Sequence, residues 1–177
     1  IMGLLVLIIT VLLTSMSIVK EKETGTIEQL IVTPVKKRQF LLSKLLPFFI
    51  LGIIISTFSV LVIIFGFGIS LKGSLLVLIG ATLLFLFNTL GLGLLISTIS
   101  NTQQQAMMAS LFIILLPFIY FSGFVFPVKN MPQMVQYVAN VIPLTHFISI
   151  ARKLFLKGTP FEYLWQSFAI MGTTGTI

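Results

Sequence analysis

The sequence has no cysteine and very little charge. Of its 177 residues only 8% are Asp, Glu, Lys or Arg, whereas 57% are hydrophobic and the mean hydropathy is +1.15. A soluble domain carries about a quarter charged residues, so the composition excludes a soluble globular protein and predicts an integral membrane protein. The missing cysteines exclude disulfide bonds and metal sites built from thiolates.

The sequence also lacks the short motifs of common catalytic and nucleotide-binding sites. It contains no Gly-x-x-x-x-Gly-Lys-Ser/Thr phosphate loop, no His-Glu-x-x-His and no Gly-x-Ser-x-Gly, and its single histidine cannot hold a metal ion alone. We therefore predict that this chain carries no catalytic residue, no cofactor and no metal ion.

Asp, Glu, His, Lys and Arg are absent from the uninterrupted hydrophobic runs. Carriers driven by protons or ions need such groups at membrane depth, so their absence argues against that class. The formal net charge of +7 is interpreted as cytoplasmic retention and attraction to anionic lipid. A nucleic-acid partner is not predicted.

What the sequence does have is a series of hydrophobic runs of about 20 residues, the length that spans the hydrocarbon core of a bilayer. They predict membrane crossings at residues 1–19, 45–69, 75–99 and 106–126, and the start of a last crossing at 161–177. The predicted fold is an all-α, polytopic helix bundle that forms a single transmembrane domain. Because both ends of the sequence lie inside hydrophobic runs, we expect the chain to be a fragment of a longer protein.

Residues 127–160 are interrupted by prolines and have no run long enough to span a membrane. We predict two short helices, Met131–Ile142 and Leu144–Leu156, that dip into the membrane interface or re-enter it from the outside. A single crossing over 133–151 is the alternative, although it would have to contain Pro143 and His146. We interpret His146 as a hydrogen-bonding residue at the interface, with a ligand role as the alternative.

Asn88 is the main polar residue of the predicted crossings. In a membrane span such a side chain favours hydrogen bonding between helices, and contact with a substrate is the alternative. Glycines in the same runs indicate close helix packing; they are at positions 66, 68, 80, 91 and 93.

The charged residues are concentrated between Lys20 and Lys44, in the longest predicted loop. Its first half predicts a short amphipathic helix over residues 23–31, with Thr24 or Thr26 as the N-cap and an end before Pro34. Three carboxylates lie at or near the predicted positive end of this helix, where they are favoured: Glu21, Glu23 and Glu28. We interpret the helix as a binding site for a partner outside the membrane. A solvated loop whose basic end lies on lipid headgroups is the alternative.

Orientation follows from the same loop. It carries six Lys and Arg residues, which places it in the cytoplasm by the positive-inside rule. The opposite side would carry nearly as many, namely Lys72, Lys129, Arg152, Lys153 and Lys157. We give more weight to the loop because its charges are dense and directly flank two strong spans.

The order of these elements resembles the permease subunit of type-2 ATP-binding-cassette exporters. One matching segment is Glu-x-Glu-x-Gly-Thr-x-Glu-x-Leu-x-x-Thr-Pro, formed here by Glu21, Glu23, Gly25, Thr26, Glu28, Leu30, Thr33 and Pro34. A second, looser segment contains Gly123, Pro127, Pro132, Pro143, His146 and Arg152. His146 departs from the family pattern, which has an aromatic residue such as tyrosine there. The detail resembles bacterial multidrug-type permeases more than polysaccharide exporters.

The resemblance implies a six-crossing half-transporter whose first crossing is missing here, in the bacterial cytoplasmic (inner) membrane. The helix over residues 23–31 would be the coupling helix that docks on a cytoplasmic ATP-binding subunit, and ATP and Mg would be bound by that subunit. Two permeases, identical or not, would pair, and a periplasmic adaptor protein is a further candidate partner. The expected substrate is a hydrophobic or amphipathic, drug-like compound.

Two other functions remain open at this point. The chain could act alone as a carrier or channel, which predicts transport without any ATPase. It could also be a membrane scaffold that anchors a cytoplasmic partner and transports nothing. The motif at residues 21–34 favours the exporter.

Overall fold

A computed structural model of the chain describes residues 1–25, 37–69, 71–123, 132–156, 158 and 164–175, and all regular structure in these residues is helical. The helices, in chain order, are α1 (Met2–Glu23), α2 (Lys37–Leu61), α3 (Leu75–Ile99), α4 (Gln103–Ala109), α5 (Leu116–Phe121), α6 (Gln133–Val141), α7 (Pro143–Leu156) and α8 (Trp165–Gly175). Two π-helical segments extend them, Val62–Gly66 after α2 and Ser110–Leu115 between α4 and α5.

Four helical stretches are long and apolar enough to cross a bilayer: Met2–Glu23, Gln39–Gly66, Leu75–Ile99 and Gln103–Phe121. The predicted all-α, polytopic membrane fold is confirmed. Helix α3 begins and ends with the hydrophobic run itself, because Ser74 and Ser100 flank it in extended conformations. Helix α1 continues past its hydrophobic run into the charged segment and ends at Glu23.

Helices α1 and α3 form the centre of the bundle. In the most apolar 18-residue window of α1, 56% of the residues are buried within the protein, against 11% for α2. Helix α1 contacts α2, α3, α4 and α7. The outward face of α2 is apolar, as in Leu42, Ile54 and Phe58, which suits contact with lipid because lipid tails are as apolar as leucine.

Helices α6 and α7 form a bent pair at the end of the bundle where α1 begins. Their axes differ by 83°. Pro143 opens α7, a position at which its missing N–H is tolerated. Phe147 of α7 stacks on Phe85 of α3, with ring centroids 4.5 Å apart. Residues 133–156 therefore form two short helices as predicted, and their placement at the membrane interface stays a prediction.

The stretch from α4 to α5 contains a π-helical turn. Pro117 has no N–H with which to bond the carbonyl oxygen of Ile113, and the π-helical segment Ser110–Leu115 ends two residues before it. Ser110 is fully buried, and its Oγ lies 3.2 Å from the Oγ of Ser15 on α1. The irregular turn is thus held to the central helix by a buried hydroxyl pair.

Asn88 links α3 to α8 in the middle of the bundle. Its Nδ2 donates to the carbonyl oxygen of Met171 at 2.9 Å, and its Oδ1 accepts from the hydroxyl of Thr174 at 2.8 Å. Both side chains line an apolar groove of about 630 Å³ beside α3, where they bond to each other. The predicted role of Asn88 in hydrogen bonding between helices is confirmed.

Replacing Asn88 with leucine is expected to loosen α8 from α3. The substitution removes both interhelical bonds, and each bond of this kind contributes about 0.6–2 kcal/mol in a membrane protein. Thermal unfolding in detergent measures the loss, with Asn140→Leu on the exposed face of α6 as the matched control. An equal loss in the control would contradict the assignment.

Candidate functional site: the charged end of the bundle

Three consecutive charged residues, Glu21, Lys22 and Glu23, form the last turn of α1. Successive residues of an α-helix point about 100° apart, and these three side chains contact three different helices. We refer to them as the EKE triplet. The first turns of α2, the end of α3 and the start of α4 surround the triplet, and we call this region the charged end of the bundle.

Glu21 joins α1 to α2. Its Oε1 lies 2.5 Å from the Nζ of Lys44, and the two side chains are 23% and 31% exposed. Ion pairs that are this accessible to water contribute at most about 1 kcal/mol. The pair therefore connects α2 to α1 at this point but adds little to the stability of the bundle.

Lys22 joins α1 to the end of α3. Its Nζ donates to the carbonyl oxygen of Ser97, with longer contacts to the carbonyl oxygens of Thr98 at 3.4 Å and Ser100 at 3.3 Å. The last carbonyls of a helix have no partner within the helix and carry a partial negative charge. An ammonium group is well suited to satisfy them.

Glu23 joins α1 to the start of α4. Its Oε2 accepts from the backbone N–H of Gln103 at 3.2 Å and from the Nε2 of the same residue at 3.0 Å. The hydroxyl oxygen of Thr102 accepts from the N–H of Gln105 at 3.2 Å. Together these oxygens satisfy two N–H groups at the positive end of the helix, where a carboxylate is favoured.

The EKE triplet therefore connects four helices at one point, and it does so with both signs of charge. Within the described ranges, no three His, Asp or Glu side chains lie close enough together to hold a metal ion. The contacts of the triplet are with other helices, so this end of the bundle is suited to transmitting movement between them.

The second predicted motif segment lies at the opposite end of the bundle. Gly123 has a φ of +78° and follows the last helical residues of α5. Pro132 is the N-cap of α6, and Arg152 is an exposed residue of α7. Pro127 lies outside the described residues.

His146 holds the bend between α6 and α7. The residue is 8% exposed, and its Nε2 lies 2.7 Å from the carbonyl oxygen of Asn140, near the end of α6. His146, the position at which this sequence departs from the motif, thus has a structural role at the bend. The hydrogen bond crosses the bend and connects α7 to α6.

Comparison with known proteins decides the family. The family model described as ABC-2 family transporter protein matches residues 1–177, the whole chain. The chain belongs to the ABC-2 transporter family. The family predicted from the two motif segments is therefore confirmed. No solved structure matches the chain.

Several curated proteins are similar to this ABC-2 chain. The probable multidrug ABC transporter permease YbhS of Escherichia coli (strain K12) is 40% identical over 159 residues, which cover 88% of this chain and 42% of YbhS. The probable multidrug ABC transporter permease YbhR of the same organism is 33% identical over 93% of this chain and 46% of YbhR. ABC transporter G family member 20 of Dictyostelium discoideum is 28% identical over 90% of this chain and 22% of that protein. The chain spans less than half the length of these relatives.

The structure corrects the position of two acidic residues in the ABC-2 motif. Glu21 and Glu23 were predicted at the positive end of a separate helix, but they lie in the last turn of α1, at its negative end. Their charges are stabilised instead by Lys44 and by the start of α4. Thr26, Glu28, Leu30, Thr33 and Pro34 lie outside the described residues.

Thr24 was one of two predicted N-caps, with Thr26, and is instead the C-cap of α1. Its backbone is helical (φ −85°, ψ −3°), and its hydroxyl donates to the carbonyl oxygen of Lys20 at 2.8 Å. Gly25 follows with a φ of +72°, the left-handed conformation that commonly ends a helix. A glycine directly after a charged helical turn was the signal that could have predicted this end.

Sequence reasoning missed Lys22 and Gln103 as site residues. Lys22 lies 75 residues before Ser97, and Glu23 lies 80 residues before Gln103. No local pattern relates positions that far apart, because such contacts depend on how the helices assemble.

Proposed function

We propose that the chain is part of the membrane-spanning permease subunit of an ATP-binding-cassette exporter. It would move a hydrophobic or amphipathic, drug-like compound out of the cytoplasm or the inner leaflet, powered by ATP hydrolysis on a separate subunit. Its family supports this function, as do YbhS and YbhR, whose names describe multidrug permeases. The observation that carries the proposal is the EKE triplet, which connects α1 to three other helices. Helix α1 leads directly into the loop that contains the rest of the first motif segment.

The loop between α1 and α2 is the proposed docking segment for the ATP-binding subunit. Glu28 and Leu30 lie in the part of the motif that follows α1, whereas Glu21 and Glu23 face neighbouring helices. We therefore assign docking to residues 26–34 and assign the transmission of movement to the EKE triplet. The six Lys and Arg residues between positions 20 and 44 favour the cytoplasmic side for this end.

The proposed working unit contains two permeases and two ATP-binding subunits in a bacterial inner membrane. ATP and Mg would be bound by the partner subunits. Movement of the docked loops on ATP binding would tilt the helices joined at the charged end. The bent pair of α6 and α7 would then be the extracytoplasmic re-entrant segment, and a periplasmic adaptor would bind on that side.

Co-purification with the ATP-binding subunit tests this proposal. The full-length permease is expressed with the ATPase encoded next to it, as wild type, as Glu28→Lys and as Lys72→Glu, the matched control on an exposed residue at the opposite end. We expect Glu28→Lys to lower the recovered ATPase about tenfold, the equivalent of about 1.4 kcal/mol, and the control to leave it unchanged.

Three results would contradict the proposal. The first is a wild-type permease that is folded and inserted but does not retain the ATPase. The second is transport by the purified permease alone, driven by an ion gradient or by diffusion, which would support an autonomous carrier or channel. The third is retention of the ATPase without ATP-dependent flux of any compound tested, which would support a scaffold.

A further inference from the structure

The turn between α3 and α4 is held at both ends by neighbouring residues of α1. Helix α3 ends at Ile99 and α4 begins at Gln103. Lys22 donates to the last carbonyl oxygens of α3, and Glu23 accepts from the first N–H of α4. A cation therefore meets the negative end of one helix while the next residue, an anion, meets the positive end of the following helix.

We propose that Lys22 and Glu23 form a two-sided clamp that makes α1, α3 and α4 move together when the docking loop is displaced. The clamp rests on the proposed function, since it acts between the ATP-binding subunit and the membrane helices. Both are positioning residues: they would not touch the ATPase or the transported compound. Their task would be to keep the α3–α4 turn at a fixed place beside the end of α1.

Burial indicates that the two halves of the clamp differ in strength. Lys22 is half-buried, and Ser97 and Ser100, whose carbonyl oxygens it contacts, are 3% and 0% exposed. Removing the ammonium group would leave the carbonyl oxygens of these two buried residues without that donor. Glu23 is exposed, so water can replace its carboxylate at the start of α4. We therefore expect the larger loss of coupling from substitutions of Lys22.

Packing next to the clamp supports a rigid unit. Ala106 in α4 is fully buried, and Ser110 one turn further on bonds to Ser15 of α1. Gly93 in α3 lies against Thr14 of α1 so closely that an added Cβ would be 2.8 Å from the Cβ of Thr14. The clamp thus closes one end of an interface that is already tight along its length, and the proposed docking segment, residues 26–34, begins three residues after Glu23.

The test separates coupling from assembly in the full-length permease–ATPase complex. Four forms are compared: wild type, Lys22→Met, Lys22→Arg and Lys20→Met, the last being an exposed lysine on the same turn. ATPase retention, ATP hydrolysis and transport of a fluorescent amphipathic dye are measured on each.

We expect Lys22→Met to keep the ATPase and hydrolyse ATP within about twofold of wild type, while transport per ATP falls about tenfold, a typical size for coupling between sites. Lys22→Arg should restore most of the transport, and Lys20→Met should resemble wild type. Unchanged transport per ATP in Lys22→Met would overturn the clamp and leave the proposed function standing. If Lys22→Met does not accumulate as folded protein, Lys22→Gln replaces it, and normal coupling in that variant also overturns the clamp.

A cross-link provides a readout that needs no ATPase. The 177-residue sequence has no cysteine. The pair E23C and Q103C can therefore be introduced where the native side chains are in hydrogen-bond contact. We expect a short thiol-specific bis-maleimide reagent to join the two cysteines rapidly when Lys22 is present and at least fivefold more slowly in the Lys22→Met background. Equal rates in the two backgrounds would show that Lys22 does not hold the turn. Failure of the wild-type permease to retain the ATPase would instead reject the proposed function, whatever the cross-link shows.

Discussion

Substitution of Gly93 by alanine is expected to destabilise the centre of the bundle, although alanine is the better helix former. A Cβ at position 93 would lie 2.8 Å from the Cβ of Thr14 and 3.3 Å from the carbonyl oxygen of Val11. Both neighbours belong to α1, so α1 and α3 would have to separate. Overpacking of a tight core costs about 1–3 kcal/mol, and Gly93→Val should prevent accumulation of folded protein.

Gly91 provides the control for this prediction. It lies on the same helix, and an added Cβ there would meet no atom within 4 Å. Both substitutions gain the helix propensity of alanine over glycine, about 1 kcal/mol, so their difference isolates the contact with α1. Thermal unfolding in detergent measures it. Gly91→Ala should be neutral or stabilising, and equal melting temperatures for the two variants would contradict the close approach.

Substitution of Gly158 by alanine is expected to release the loop around Lys72 and Gly73, which lies against the end of α7. Gly158 has a φ of +61°, and an added Cβ would lie 2.8 Å from the carbonyl oxygen of Lys72. In the same loop, the N–H of Gly73 donates to the carbonyl oxygen of Leu154 at 3.0 Å. Alanine would therefore cost about 1–2 kcal/mol for its left-handed conformation and about 1–3 kcal/mol more for the contact.

Gly68→Ala is the matched control for Gly158→Ala. Gly68 has a φ of +65°, but no atom lies within 4 Å of an added Cβ, so this variant carries the conformational cost alone. Limited proteolysis around residues 68–74 and thermal unfolding both report on the loop. We expect Gly158→Ala to be cleaved faster and to melt lower than Gly68→Ala. The same behaviour in both variants would show that the contact with Lys72 contributes nothing.

The membrane fold could be predicted from the sequence because its strongest signals are local. Between Ser74 and Ser100 the chain is uncharged and long enough to cross a membrane. In lipid a helix has the lowest free energy, because it satisfies the backbone N–H and C=O groups internally. The bend before α7 is likewise local, since Pro143 disfavours helical conformation at Ile142. The family could be predicted for a related reason, because its motif is a short segment of fixed spacing.

The candidate site could be predicted only in part. The acidic residues at positions 21 and 23 were identified, but their partners Lys44 and Gln103 were not. Which neighbour a charged side chain meets depends on helix packing, and no short window of the sequence specifies that packing. The end of α1 was misplaced for another reason: the hydrophobic run ends before the helix does, and Gly25, not the last apolar residue, marks the end.

The π-helical turn at Ser110–Leu115 bears on how this segment should be compared with related sequences. A π-helical turn is wider than an α-helical one and accommodates an extra residue. A helical wheel drawn over the whole of Gln103–Phe121 would therefore misassign the faces of one half by roughly 100°. A relative with one residue fewer here could form an uninterrupted α-helix with the same faces turned toward its neighbours. An alignment gap inside this segment would then indicate a relative whose helix lacks the π-helical turn but keeps the same contacts with its neighbours.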